Sequence, residues 1–231
     1  MSNQLSFSLP KKEILDKDNY FVSQANQSAV SLIEDWINWP LRKLILVGSE
    51  GSGKTHLGHL WASQVGATII NAKTLMDEQI NELSKTPVLV EDINEVQRNQ
   101  PVEVVLFHLH NLLYSEGHSL LMTSQILPGR LNFLLKDLQS RVEASAIARL
   151  YPVDDDLLRA ILIKMFADRQ IYFSDKLLAY VLPRVERSYT AAKLFVEEVD
   201  SKAMAESRVI GKRLVRDILD CLLYTSDAAD E

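Results

Sequence analysis

The octapeptide Gly48-Ser-Glu-Gly-Ser-Gly-Lys-Thr55 constrains this chain more than any other feature. It fills the pattern G-x-x-x-x-G-K-[ST], follows the apolar run Leu44 to Val47, and leads into a helix expected to begin near Lys54. In that context Gly48, Gly51 and Gly53 let successive backbone N–H groups converge on phosphate oxygens without interference from Cβ atoms, and Ser52 adds another amide to the cradle. The helix N-terminus contributes favourable partial positive charge. Lys54 is placed to reach β- and γ-phosphates, and Thr55 to hold Mg²⁺ through its hydroxyl. A glycine turn without ligand is the bland alternative, and the flanking strand and helix argue against it.

A strand, glycine turn and helix at this point predict an α/β fold, and the downstream pattern continues it. Thr68 to Ile70 reads as a strand, Leu75 to Leu83 as a helix, and Pro87 to Val90 as a buried strand. Pro101 suits the first turn of a helix running to about Glu116, with Gly117 as its stop. Ser119 to Met122 and Ile147 to Leu150 supply two more strands. Upstream, Val30, Ile33, Trp36 and Ile37 give one helical apolar face ended near Pro40. Strands separated by helices imply a parallel sheet covered on both faces.

After Pro152 strands cease. Asp154 and Ser174 are suitable N-caps for two helices, the first over Leu157 to Arg169, and Thr190 to Glu206 and Lys212 to Leu219 add two more. The expected divisions are an extended arm over 1–20, an α/β nucleotide-binding domain over 21–152 and a small all-helical lid over 153–220. Residues 221–231 break the pattern and read as a non-native or disordered tail.

Composition narrows the function classes. Hydrophobic residues at 47% and charged residues at 24% are ordinary for a globular protein of 231 residues. No apolar run is long enough for a membrane span, and Met1 to Ser8 lacks the character of a secretory signal, so a cytoplasmic protein is expected. The single cysteine, Cys221, excludes an internal disulfide. A net charge of −6 argues against broad binding to phosphate backbones. The five histidines lack metal-site spacing, and the three tryptophans, without a basic stripe, read as core rather than as base-stacking platforms.

Further polar groups fall where phosphate chemistry needs them. Val88-Leu-Val-Glu91-Asp92 is an apolar strand ending in two carboxylates, the place for an acid near Mg²⁺ and the attacking water: Glu91 toward the metal and Asp92 as the catalytic acid. Ser124, within Thr123-Ser124-Gln125 at the end of the next strand, is a candidate sensor of the γ-phosphate, with an ordinary turn as the alternative. Arg141, just ahead of the last strand, is a candidate finger delivered in trans to a neighbouring subunit's nucleotide; a surface salt bridge is the alternative.

Taken in order, several segments resemble the DnaA-related AAA+ ATPases, in particular the regulatory inactivators of DnaA of the alphaproteobacterial type. The segments are Gln4-Leu-Ser-Phe7-Ser-Leu9-Pro10, Tyr20-Phe21-Val22 with Asn26 and Ala29, Trp36 to Pro40, the glycine-rich octapeptide, Leu138-Gln-Ser-Arg141 and Val185-Glu-Arg187-Ser-Tyr-Thr-Ala-Ala192. The resemblance implies ADP or ATP with Mg²⁺ as cofactor, Phe21, Val22 and Asn26 near the adenine, and Arg141 aimed at DnaA-bound ATP. It implies that Gln4, Leu5, Phe7 and Leu9 dock on the β sliding clamp of the replicative polymerase, with DNA met only through the clamp. The implied function is stimulation of hydrolysis of DnaA-bound ATP, which restrains initiation of chromosomal replication.

Two departures stand out: Glu91 leads the acidic pair where the family usually has aspartate, and Ala191 occupies the place of a lid arginine that touches the γ-phosphate. The second predicts weak intrinsic ATPase activity. A helicase-loader or DnaA-like replication factor and a small P-loop nucleotide kinase are the rival readings. A loader needs a helicase-contacting module, and a kinase needs extra arginines around a second substrate. A homodimer is one assembly open to such a chain.

Overall fold

A computed structural model describes residues 21–206 and 210–227. The arm over 1–20, with Gln4, Leu5, Phe7 and Leu9, lies outside the described residues, as does the end of the tail.

Five strands, β1 (Lys43–Val47), β2 (Thr68–Asn71), β3 (Val88–Glu91), β4 (Leu120–Ser124) and β5 (Ala146–Arg149), form one sheet in the order β2-β3-β4-β1-β5. Every pairing is parallel. Side-chain alternation along each strand divides the core in two. Leu44 and Leu46 of β1, Leu89 and Leu121 pack against Ala29 and Ile33 of α1 (Gln27–Glu34) and Leu57 and Trp61 of α2 (Lys54–Val65). Ile45, Val47, Val90 and Met122 pack against α3 (Ile80–Leu83), α4 (Gln100–Ser115) and α5 (Lys136–Glu143). The sheet is thus buried on both faces, which is why its central strands read as unbroken apolar runs. Trp39 and Trp61 stack with ring centroids 5.4 Å apart inside the first core.

Helices α6 (Asp155–Asp168), α7 (Asp175–Val181), α8 (Tyr189–Glu206) and α9 (Lys212–Asp227) gather around a separate core that includes Leu158, Phe166, Val181, Phe195, Val199 and Ile218. Asp154 and Ser174 cap α6 and α7 by accepting the amides of Leu157 and Leu177. None of the described helices is long and apolar enough to cross a membrane.

Several boundaries differ from the expectation. α1 stops at Glu34 because the Trp39 indole donates to the Leu32 carbonyl at 2.6 Å and folds the chain back; Ile37 is left 67% exposed. The helix expected over Leu75 to Leu83 shrinks to Ile80–Leu83, because Met76 stays extended and its amide is held by the Gln79 side chain at 2.9 Å. The segment carrying Arg141 forms α5, an element that the apolar spacing did not signal. α9 continues past Leu219 through Cys221 to Asp227 instead of breaking there.

Candidate phosphate-binding site

The glycine-rich turn emerges from the carboxyl end of β1, where open parallel sheets place their ligands. It is held at its start by the Gly48 amide donating to the Ser124 carbonyl at 3.2 Å. Gly51 and Gly53 adopt φ of 69° and 93°, a region that costs other residues roughly 1–2 kcal/mol. Gly48 is required for space instead: a Cβ there would lie 2.4 Å from the Ser52 hydroxyl and 3.1 Å from Leu150. The turn therefore keeps the open backbone that a phosphate cradle needs, directly ahead of the α2 N-terminus.

Lys54 is buried, and its ammonium donates to the carbonyls of Gly48 at 2.9 Å and Ser49 at 2.8 Å. Burial pushes its pKa down, while the charges of Asp92 and Glu50 pull it back up. The Ser52 hydroxyl is buried without a hydrogen-bond partner among the described residues. Thr55, the next residue, is exposed. A loop with glycines at the crowded positions, an inward lysine and an unspent hydroxyl fits a di- or triphosphate.

The two carboxylates that close β3 and follow it, Glu91 and Asp92, are separated by the geometry of the strand end. Glu91, last in the strand, points toward α2, where its carboxylate lies 3.4 Å from His59 Nε2. Asp92 turns into the left-handed region at φ 58° and is fixed twice: its amide donates to the Thr123 hydroxyl at 2.9 Å, and its carboxylate accepts from the Asn71 side chain at 3.3 Å. The Ser124 hydroxyl is engaged locally, donating to the Ile126 carbonyl at 2.7 Å, so Thr123 is the β4 hydroxyl that touches the acidic strand end. Among the described residues no cluster of histidine, cysteine and carboxylates could hold a metal ion by itself.

The segment 21–26 reaches the same end of the sheet. The Tyr151 amide donates to Ala25 and the Leu150 amide to Val47, which ties this segment to the carboxyl ends of β5 and β1. Buried Asn26 closes the segment on itself, donating to the Phe21 carbonyl at 2.9 Å and accepting the Ser23 amide at 2.8 Å. Phe21 and Val22 are left about half exposed.

The helical unit closes on the turn. Ser188 accepts the Ala191 amide at 3.0 Å, capping α8, and the next amide, Tyr189, donates to the Gly51 carbonyl at 2.9 Å. The Tyr189 ring meets His56 of α2 edge-on at 5.5 Å. Ala191 packs into the core of its own unit.

Arg141 is not at this site. It lies on α5, one turn before Ser145, whose hydroxyl donates to the Arg141 carbonyl at 3.2 Å, and so it flanks the amino end of β5. A strand of five residues separates the two ends of the sheet by about 16 Å. Its guanidinium is exposed and forms no ion pair among the described residues.

Three contributors escaped the sequence reading, Asn71, His59 and Ser188, and Thr123 entered it only as a member of the cluster read for Ser124. Thr123 and Asn71 had a usable signal, since each is a polar residue closing a parallel strand beside the glycine-rich turn; His59 and Ser188 had none until the helices were placed.

No protein-family model matches the chain. It is 26% identical over 163 residues to the chromosomal replication initiator protein DnaA of Thermoanaerobacter sp. (strain X514), a match covering 62% of this chain and 37% of that protein. The chain thus spans well under half the length of this relative. Domain III of the Thermotoga maritima replication initiation protein DnaA superposes with a TM-score of 0.77 at 19% identity, over 88% of this chain and 94% of that one. AMPPCP-bound DnaA from Aquifex aeolicus superposes with a TM-score of 0.67 at 17% identity, over 84% and 68%. A parallel five-stranded sheet in this order, with a glycine-rich turn after β1, gives the chain the AAA+ fold of DnaA domain III, and its sequence is similar to that of DnaA.

Proposed function

We propose that this protein is an Hda-type regulator: it binds ADP or ATP with Mg²⁺ in its own glycine-rich turn and stimulates hydrolysis of ATP held by DnaA. In this reading the arm residues Gln4, Leu5, Phe7 and Leu9 tether it to the β sliding clamp, so the reaction is confined to DNA already under replication. Lys54 binds the phosphates, Thr55 and Glu91 serve the metal, and Asp92, braced by Asn71 and Thr123, stands near the attacking water.

The observation that carries the reading is the location of Arg141. An exposed guanidinium with no ion pair among the described residues, at the end of the sheet opposite its own phosphate turn and so one strand length (~16 Å) away along the strands, is poorly placed to serve that turn and well placed to enter a neighbour's site. Such a finger supports phosphoryl transfer by neutralising charge that develops in the transition state, and is worth roughly 10³ to 10⁵ in rate. Ala191, in place of a lid arginine, fits a chain whose own hydrolysis is weak.

The test mixes the protein with ATP-loaded DnaA and clamp on DNA and follows phosphate release. The expected result is stimulation that disappears with Arg141→Ala and falls with Gln4→Ala. Equal stimulation by Arg141→Ala and the parent would remove the reading. A DnaA-like initiation role is the second reading, favoured by the similarity to DnaA itself; it predicts nucleotide-dependent self-assembly in place of stimulation.

A further inference from the structure

Arg141 does not stand alone at its end of the sheet. Leu44 of β1 pairs with Ala146 of β5 and Lys43 with Leu120 of β4, so the turn leading into β1 lies beside the short α5–β5 connection, and Arg141 sits in the last turn of α5 just ahead of it. In that turn Leu41 and Arg42 both adopt positive φ, 51° and 57°, and both are exposed. Two consecutive left-handed residues other than glycine cost roughly 1–3 kcal/mol each, and such strain persists only where surrounding structure imposes it. Here the Arg42 amide is held by the carbonyl of buried Trp39 at 2.9 Å.

Lys43 is more unusual. It is fully buried, and its ammonium has no hydrogen-bond partner among the described residues. By alternation with Ile45 and Val47 its side chain lies on the sheet face covered by α4 and α5. His110 of α4 is buried there too, and after burial itself the charges of Lys43 and Arg141 are what hold its pKa down, near 4. Among the described residues no carboxylate pairs with these cations: neither Arg42 nor Arg141 forms an ion pair, the Lys43 ammonium has no hydrogen-bond partner, and Glu143 accepts from Gln139 at 2.6 Å. A buried, unanswered cation is costly, so its presence next to a strained arginine turn points to an anion supplied from outside.

We propose that Arg42 and Lys43 form one anion-receiving surface with Arg141, fitted to the polyphosphate of a nucleotide held by a second AAA+ subunit. Arg42 and Arg141 contact the phosphates, and Lys43, shielded from water, adds positive potential behind them. The occupant is the part of the proposal that rests on the trans-acting function; the surface itself rests on the geometry.

Two measurements separate them. In the first, sodium tripolyphosphate is titrated calorimetrically into the full chain carrying Lys54→Ala, which silences its own phosphate turn. Binding is expected, weakened about tenfold by Arg42→Ser and by Lys43→Met, and restored to within about twofold of the parent by Lys43→Arg. No binding, or unchanged affinity in variants shown by circular dichroism to be folded, overturns the surface. In the second, the same variants with Lys54 intact are assayed for stimulation of DnaA-bound ATP hydrolysis. If Arg141→Ala abolishes stimulation while Arg42→Ser and Lys43→Met stimulate like the parent, the shared role is overturned and the function stands. If the parent gives no stimulation, the function falls, and the proposed occupant falls with it.

Discussion

The amide of Tyr189, first residue of α8, donates to the carbonyl of Gly51 in the phosphate turn at 2.9 Å. This bond joins the helical unit directly to the phosphate turn. It makes the position of the helices sensitive to the shape of the turn, and the turn sensitive to anything that pushes on α8.

Gly51→Ala should break this coupling. A Cβ there would lie 2.5 Å from Ser188 Cβ, and the residue would keep φ at 69°. We expect a loss of about 2–3 kcal/mol in unfolding free energy, from left-handed strain plus displacement of Ser188, together with weaker ADP binding. Gly129→Ala, where the added Cβ meets nothing within 4 Å, should change stability by less than about 0.5 kcal/mol in the same urea titrations.

Lys54→Ala should leave the chain folded but remove its main phosphate contact. Charge-assisted hydrogen bonds contribute about 1.5–3 kcal/mol, so calorimetry should show ADP affinity reduced about 10- to 100-fold or more. Unchanged affinity would mean that the turn is structural only.

Lys43→Met should stabilise the protein at neutral pH. The folded-state pKa, lowered by burial from 10.5 to about 8, means that the folded chain gives up a proton that the unfolded chain keeps. The penalty is therefore complete below pH 8 and is relieved as pH rises toward 10.5; it amounts to about 3 kcal/mol. Denaturation at pH 7 should show the methionine variant more stable than the parent, and the gap should narrow at pH 10. A gap that widens with pH would contradict the sign.

Glu103→Ala should be among the more damaging single changes away from the phosphate turn. The carboxylate is fully buried and accepts the amides of Arg98 and Leu135, both at 2.8 Å. Leu135 caps α5, so the substitution strands two amides and loosens the helix that carries Arg141. We expect about 2–4 kcal/mol of lost stability, read from chemical denaturation, and less stimulation of DnaA at temperatures where the variant is still folded.

Arg141→Ala, by contrast, should unfold within about 0.5 kcal/mol of the parent, because its exposed guanidinium forms no ion pair among the described residues. Reduced stimulation with unchanged stability is the combination that separates a finger from a structural arginine.

Local sequence determined a good deal. The octapeptide between an apolar run and a helix fixed where phosphate chemistry is supported, since the glycine, lysine and helix-start requirements are all met within eight residues. Unbroken apolar strands announced a sheet buried on both faces, and the capping residues Asp154 and Ser174 announced two helices. Tertiary structure decided the rest, because the deciding contacts join residues far apart in the chain. Only placement of β4 beside β3 made Thr123 the partner of Asp92 and left Ser124 to its own turn. Only the fold brought Ser188 over Gly51, and only Glu103 reaching across to Leu135 shows why an unpatterned segment becomes α5. Lys43 stands at the head of β1, and the helices packed over it are what bury its charge.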